Sequence, residues 1–148
     1  MNKDLDTLDT LAFRFFKLFA QYESTLKERD YFRADQNGRI TVDWNRFANE
    51  VVGEKFLDDL GEKREAAEFI LNAPPKKQAV NNQGKIVWVE VPNDDKSVQA
   101  LFGHISRMRN NLFHGAKFNG TWFDPDRSKA LLDRGLVILQ HYKPWIRQ

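Results

Sequence analysis

Two guanidiniums, two amides and an imidazole lie close together in the stretch Arg107-Met108-Arg109-Asn110-Asn111-Leu112-Phe113-His114-Gly115. An imidazole takes or gives a proton near neutral pH, and a guanidinium holds phosphate oxygens whose charge grows in a phosphoryl-transfer transition state. The cluster therefore suits phosphate chemistry. Its charge environment agrees, because residues 96–123 contain Lys96, Arg107, Arg109, Lys117, His104 and His114 and not one carboxylate. The asymmetry extends along the chain: residues 1–74 carry 11 Lys and Arg against 15 Asp and Glu, and residues 75–148 carry 12 against 6. An anionic partner would be welcome in residues 96–123, and on charge alone the alternative, a basic helix face whose charges are simply solvated, is the commoner case.

Other chemistries are excluded or weakly encoded. With no cysteine there is no thiolate nucleophile, disulfide framework or Cys-ligated metal. No His-Glu-x-x-His, phosphate-binding Gly-x-x-x-x-Gly-Lys-Ser/Thr or Gly-x-Ser-x-Gly motif is present. Asp35-Gln36-Asn37-Gly38-Arg39-Ile40 resembles the middle of a calcium-binding loop, but position one is Arg33 and position twelve is Trp44, so two essential carboxylates are missing. The Asn-Gly pair reads more simply as a turn. Neither a metal nor a cofactor is expected.

The elements that must position the cluster follow from hydrophobic spacing. Residues 4–29 predict a long amphipathic helix, with Leu5, Leu8, Leu11, Phe15, Leu18 or Phe19, Tyr22 and Leu26 on one stripe. Helical patterning returns over Trp44 to Val52 and Lys55 to Leu71, and Ala73-Pro74-Pro75 stops it. Lys77 to Val80 and Lys85 to Val91 flank Asn81-Asn82-Gln83-Gly84 and predict a small hairpin. Asn93 or Asp94 then caps a helix with Val98, Leu101, Ile105, Met108 and Leu112 on its apolar face, ending near Gly115. A last helix spans residues 126–142 and stops near Pro144. The fold class expected is all-α: one domain over residues 1–148, a bundle of four or five helices with a β-hairpin insertion at 76–92. No apolar run is long enough for a membrane span and the start lacks a secretory pattern, so a cytoplasmic protein without membrane association is expected.

At 100° per residue, Arg109 falls about 70° from the centre of the apolar face and Arg107 about 130° away, so Arg109 borders the core and Arg107 faces solvent. On a straight helix His114 would stand roughly 140° from Arg109, so both reach one phosphate only if the backbone leaves the helix near Phe113, as Gly115 permits.

Arg109-Asn110-Asn111-Leu112-Phe113-His114 resembles the Arg-x(4 to 6)-His signature of the HEPN superfamily, small helical domains whose best-known members are metal-independent ribonucleases. Arg107 to His114 and Arg134 to His141 also satisfy the spacing, but the family commonly has a polar residue after the Arg, and only Arg109 has one, in Asn110. The resemblance implies a homodimer with two Arg109/His114 pairs lining one groove at the two-fold axis, and RNA as substrate. It implies that Arg109, His114 and Asn110 are the catalytic set, with Arg107, Asn111 and Lys117 binding the RNA backbone. The products would be a 2′,3′-cyclic phosphate and a 5′-hydroxyl, and the role a toxin or defence effector, with an antitoxin or regulatory protein as a further partner class. One subgroup carries a tyrosine two residues after the His that its nucleotidyltransferase antitoxin modifies; here that position is Ala116, and this form of control is not carried over. Two alternatives stand beside this reading. One is a non-catalytic HEPN-like module that binds nucleotide, RNA or protein. The other is purely structural, with Arg109 complementing the helix dipole and His114 capping the last carbonyls.

Overall fold

The apolar stripe of the first helix cannot stay in water, and its burial organises the chain. In the computed structural model, which describes residues 3–113, 117–118, 121–122 and 124–147, with side chains over 7–112 and 124–147, helix α1 (Lys3–Glu28) buries Leu8, Leu11, Phe15, Leu18, Phe19, Tyr22 and Leu26. The helix ends at Asp30, held in the left-handed region with φ 69°. There the Tyr31 N–H donates to the Leu26 carbonyl (2.8 Å) and the Asp30 N–H to that of Lys27 (3.3 Å), which satisfies two carbonyls the helix leaves over.

Strands β1 (Phe32–Ala34) and β2 (Ile40–Val42) form an antiparallel hairpin with Phe32 opposite Val42. Its turn is the calcium-loop look-alike: Asp35 Oδ1 accepts the N–H groups of Asn37 (2.8 Å) and Arg39 (2.9 Å), so the carboxylate closes its own turn. The turn recurs between β3 (Lys77–Val80) and β4 (Ile86–Val89), where Asn81 Oδ1 accepts from Gln83 (2.9 Å) and Lys85 (3.0 Å). Gly38 (φ 78°) and Gly84 (φ 74°) supply the left-handed residue that this turn geometry requires. The second hairpin is the expected insertion; the first was not anticipated.

Helix α2 (Trp44–Phe47) is capped by Asp43, whose Oδ1 accepts from the Arg46 N–H (3.1 Å), and it relaxes into a single π turn at Ala48–Val52. The helix expected over 55–71 is divided into α3 (Phe56–Leu60), a 3-10 turn at Gly61–Lys63 and α4 (Arg64–Asn72). Gly61, at φ 57°, breaks it. Helix α5 (Val98–Phe113) starts later than expected: Ser97 Oγ accepts the Ala100 N–H (3.1 Å), and Asp95 Oδ1 in turn accepts the Ser97 N–H (2.9 Å). Asn93 instead donates to the Asn72 carbonyl at the end of α4 (2.8 Å). Strands β5 (Lys117–Phe118) and β6 (Thr121–Trp122) form a third two-stranded pair.

Helix α6 (Pro125–Ile146) does not stop at Pro144 but includes it. A proline in the last turn removes only one helical donor, and Arg29 holds the end that follows. Its Nη1 donates to the Trp145 carbonyl (2.7 Å), its Nη2 to that of Ile146 (3.5 Å), and its guanidinium lies 4.4 Å from the centroid of the Trp145 ring. Arg29→Ala is expected to lower stability by about 1–2 kcal/mol, from one charge-assisted cap and a cation–π contact. Thermal unfolding read by circular dichroism checks this, with Arg29→Lys recovering only part of the loss because ammonium cannot fork across two carbonyls.

The core lies between α1, α5 and α6, with α4 packed against α5 and α6. An aromatic cluster fills its α2 side, where Trp44 stacks on Phe102 at 6.0 Å and Phe47 meets Phe102 edge-on at 5.4 Å. The buried Tyr22 hydroxyl donates to the Leu139 carbonyl (2.5 Å), and burial pushes its phenol pKa upward. A Cβ on Gly135 would meet both Met108 Sδ and Phe15 Cε2 at 3.0 Å, so the three helices touch at this point. That contact fixes the roll of the last turns of α5. Among the described residues, no helix is long and apolar enough to cross a membrane.

Candidate functional site

Met108 is buried where α1, α5 and α6 meet, so the residues on either side of it must diverge by about 100° each. Arg109 turns toward α1. Its Nε lies 3.7 Å from Glu23 Oε1, its guanidinium carbon is 5.9 Å from the centre of the Phe16 ring, and its Nη1 donates to Asn110 Oδ1 (3.3 Å). The side chains of Arg109 and Glu23 are 27% and 26% exposed. At that length and exposure the ion pair is worth under about 1 kcal/mol, which a doubly contacted phosphate can displace. Asn110 is exposed beside it.

Arg107 turns the other way, and not into open solvent as the helical wheel suggests. It is half-buried, with Nη1 2.9 Å from His104 Nδ1, and burial lowers its pKa. His104 itself is only 6% exposed, and its Nε2 has no hydrogen-bond partner among the described residues. Because a guanidinium only donates, the His104 Nδ1 facing it accepts, and the ring is neutral with its proton on Nε2. Burial first, and the Arg107 charge second, push the imidazole pKa down to about 4.

Asn111 points to the hairpin side, donating from Nδ2 to the Lys76 carbonyl (2.8 Å). It is therefore separated from Arg109 by the width of the helix. His114 and the side chain of Lys117 lie outside the described residues, so the fold brings together Arg109 and Asn110 of the expected set and places Arg107 and Asn111 elsewhere on α5.

The other Arg-x6-His pair is held by acids from neighbouring helices. Arg134 Nη2 sits 3.2 Å from Glu65 Oε1 with its guanidinium 4.1 Å from the centroid of the Phe69 ring, while His141 Nε2 lies 3.5 Å from Asp59 Oδ2. These contacts tie α6 to α3 and α4. Among the described residues no three of His, Asp and Glu converge as metal ligands.

Sequence reasoning left one feature unassigned. Between the β3/β4 hairpin, the end of α5 and the start of α6 lies a small cleft of about 50 Å³, open to solvent on one side, lined by Trp88, Met108, Asn111, Leu112, Asp124, Arg127 and Leu132 among others. Arg127 fixes the hairpin over it: Nη1 and Nη2 reach Glu90 Oε1 (3.1 Å) and Oε2 (3.3 Å), and Nη2 also donates to the Pro74 carbonyl (2.5 Å). The Arg127 hydrogen bond holds the exposed Glu90 carboxyl below the usual carboxylate range. The signal available in sequence was Trp88, an aromatic within a β-branched strand that the expected core did not claim. Compared with protein-family models, with curated protein sequences and with solved structures, the chain matches none.

Proposed function

We propose that this chain is a HEPN-type, metal-independent endoribonuclease, acting as a toxin or defence effector. The observation that carries the reading is the carboxylate-free last turn of α5. Here Arg109 and the exposed Asn110 are hydrogen-bonded to one another, and the chain runs on within four residues to His114. In the proposed reaction His114 takes the proton of a ribose 2′-hydroxyl, or delivers one to the leaving oxygen. The 2′-oxygen bonds to phosphorus, the bond from phosphorus to the 5′-oxygen breaks, and that oxygen leaves protonated. Arg109 stabilises the charge that builds on the pentacoordinate phosphorus, and Asn110 holds its guanidinium in place. Lys117 adds sequence-independent attraction for the backbone.

Phe13 and Phe16, 68% and 39% exposed on α1, form an apolar shoulder next to Arg109 and support assembly of two copies there, with both Arg109/His114 pairs in one groove. An antitoxin or regulatory protein would cover the same groove. The Arg109–Glu23 pair favours a second reading, a non-catalytic HEPN-like module that binds RNA or nucleotide or docks to protein, because a catalytic guanidinium must first let go of that carboxylate.

The test is cleavage of end-labelled RNA by purified protein in excess EDTA, at low and moderate salt, with end-group analysis. The expected result is cleavage that leaves 2′,3′-cyclic phosphate and 5′-hydroxyl ends, weakens as salt rises and spares DNA of the same sequence, which lacks the attacking hydroxyl. Diverse RNAs left intact with and without added metal would move the assignment to the binding module.

A further inference from the structure

The cleft between the β3/β4 hairpin, the end of α5 and the start of α6 has a chemistry of its own. Its walls are apolar and aromatic, from Trp88, Met108, Leu112 and Leu132. Its charged groups are largely neutralised internally, since Arg127 and Lys76 both pair with Glu90, at 3.1 Å and 3.8 Å. A small anion therefore finds no uncommitted cationic pair. What remains is hydrogen-bonding capacity, chiefly of acceptors, because Asp124 also lines the cleft. Asn111 uses Nδ2 on the Lys76 carbonyl and keeps Oδ1 as an acceptor.

We infer that this cleft is a binding site for a single nucleobase. A flat, uncharged heterocycle with N–H donors matches the indole and aliphatic walls, the Asn111 acceptor and the acceptor that Asp124 adds to the lining. A purely aliphatic ligand would leave both acceptors unmatched, and an anion would have to displace Glu90 and would be repelled by Asp124. The inference deepens the RNA reading, and rests on it only for the source of the base, because Asn111 is on the same helix end as Arg109 and Asn110. A base seated here would hold its strand beside that end.

The test measures binding and not cleavage. Nucleosides and, as an apolar control, toluene are presented at millimolar concentration to the full chain in EDTA, with saturation-transfer NMR and tryptophan fluorescence as readouts. The expected result is saturable nucleoside binding that toluene does not displace. It should weaken about tenfold in Trp88→Ala, the size of effect that loss of one stacking partner produces, and disappear in Ser128→Phe, which fills the cleft from the first turn of α6. An RNA tetranucleotide that binds more tightly than its nucleoside assigns the base to a strand, and equal binding assigns it to free nucleotides. No nucleoside binding, displacement by toluene, or binding unchanged in folded Ser128→Phe overturns the inference. Nucleoside binding without RNA cleavage leaves the cleft assignment standing while the ribonuclease reading falls. Cleavage without nucleoside binding does the reverse.

Discussion

Alanine at His114 is expected to slow RNA cleavage by about a hundredfold to ten-thousandfold, the contribution of one positioned acid or base. Arg109→Ala should cost about a hundredfold to a thousandfold, as loss of a donor to a developing oxyanion does. Arg109→Lys should recover little, because an ammonium keeps the charge and loses the two-pronged contact with phosphate oxygens. The Arg109 substitution should hardly change stability, since the 3.7 Å pair with Glu23, about a quarter exposed, is worth under about 1 kcal/mol. The matched control is Arg134→Ala with His141→Ala. That double variant removes the contacts to Glu65, Phe69 and Asp59, so it should lower the unfolding midpoint and leave cleavage per folded molecule unchanged. If the control abolishes cleavage and the Arg109 and His114 variants do not, with all of them folded, the site lies on α6.

The second large effect is on stability against pH. His104 is neutral in the fold because burial, followed by the Arg107 charge, depresses its pKa to about 4 from an ordinary 6.5. Lys96 opposes the imidazolium as well, and Asp95 alone favours it. An unfolded chain therefore takes up the proton first as pH falls. The stabilisation is complete above pH 6.5 and is lost progressively on the way down to about 4, for a total on the order of 3 kcal/mol. The lowered carboxyls of Glu90 and Asp95 act in the same direction, but only where carboxylates protonate, at more acid pH. Urea unfolding between pH 7 and pH 5 thus isolates the histidine: the wild-type midpoint should fall, and that of His104→Gln, which keeps an acceptor for Arg107 and does not titrate, should stay nearly level. Parallel midpoints for the two proteins would show that His104 is protonated in the fold.

The long elements were legible because their apolar residues repeat every three or four positions. That spacing places α1, α5 and α6, and the β-branched run Ile86-Val87 marks the β3/β4 hairpin. The β1/β2 hairpin uses the same turn chemistry, Asp35 to Gly38 for Asn81 to Gly84, but its strands have three residues each and Arg33 and Ala34 give them no pattern. Pro144 reads as a stop when the chain is considered alone, and only Arg29, far away in sequence, explains why the helix continues. Within the site, the wheel placed Arg109 at the border of the core, where α1 indeed meets it. It failed for Arg107, because an angle around an axis does not say what covers a face. The approach to α5 brings Asp95 and Lys96 close enough to His104 to act on its charge, and Arg107 shares that sheltered side. The cleft was invisible for a related reason: its walls come from three elements brought together by the Arg127–Glu90 clasp, which joins residues 37 apart.

The contacts between the first and last helices also govern how the chain reaches its fold. Tyr22 to Leu139 and Arg29 to Trp145 join residues 117 and 116 positions apart. Closing such a span costs about 2 kcal/mol more entropy than closing a loop of about ten residues. A helical protein with this connectivity is expected to fold more slowly than an up-and-down bundle of equal size, where sequential neighbours pair. On the ribosome, the apolar stripe of α1 has no α6 to cover it until nearly all of these residues have emerged. The growing chain should therefore recruit hydrophobic-binding chaperones late into synthesis, and Arg109, whose position α1 and α6 jointly fix through Met108, can be set in place only at the end.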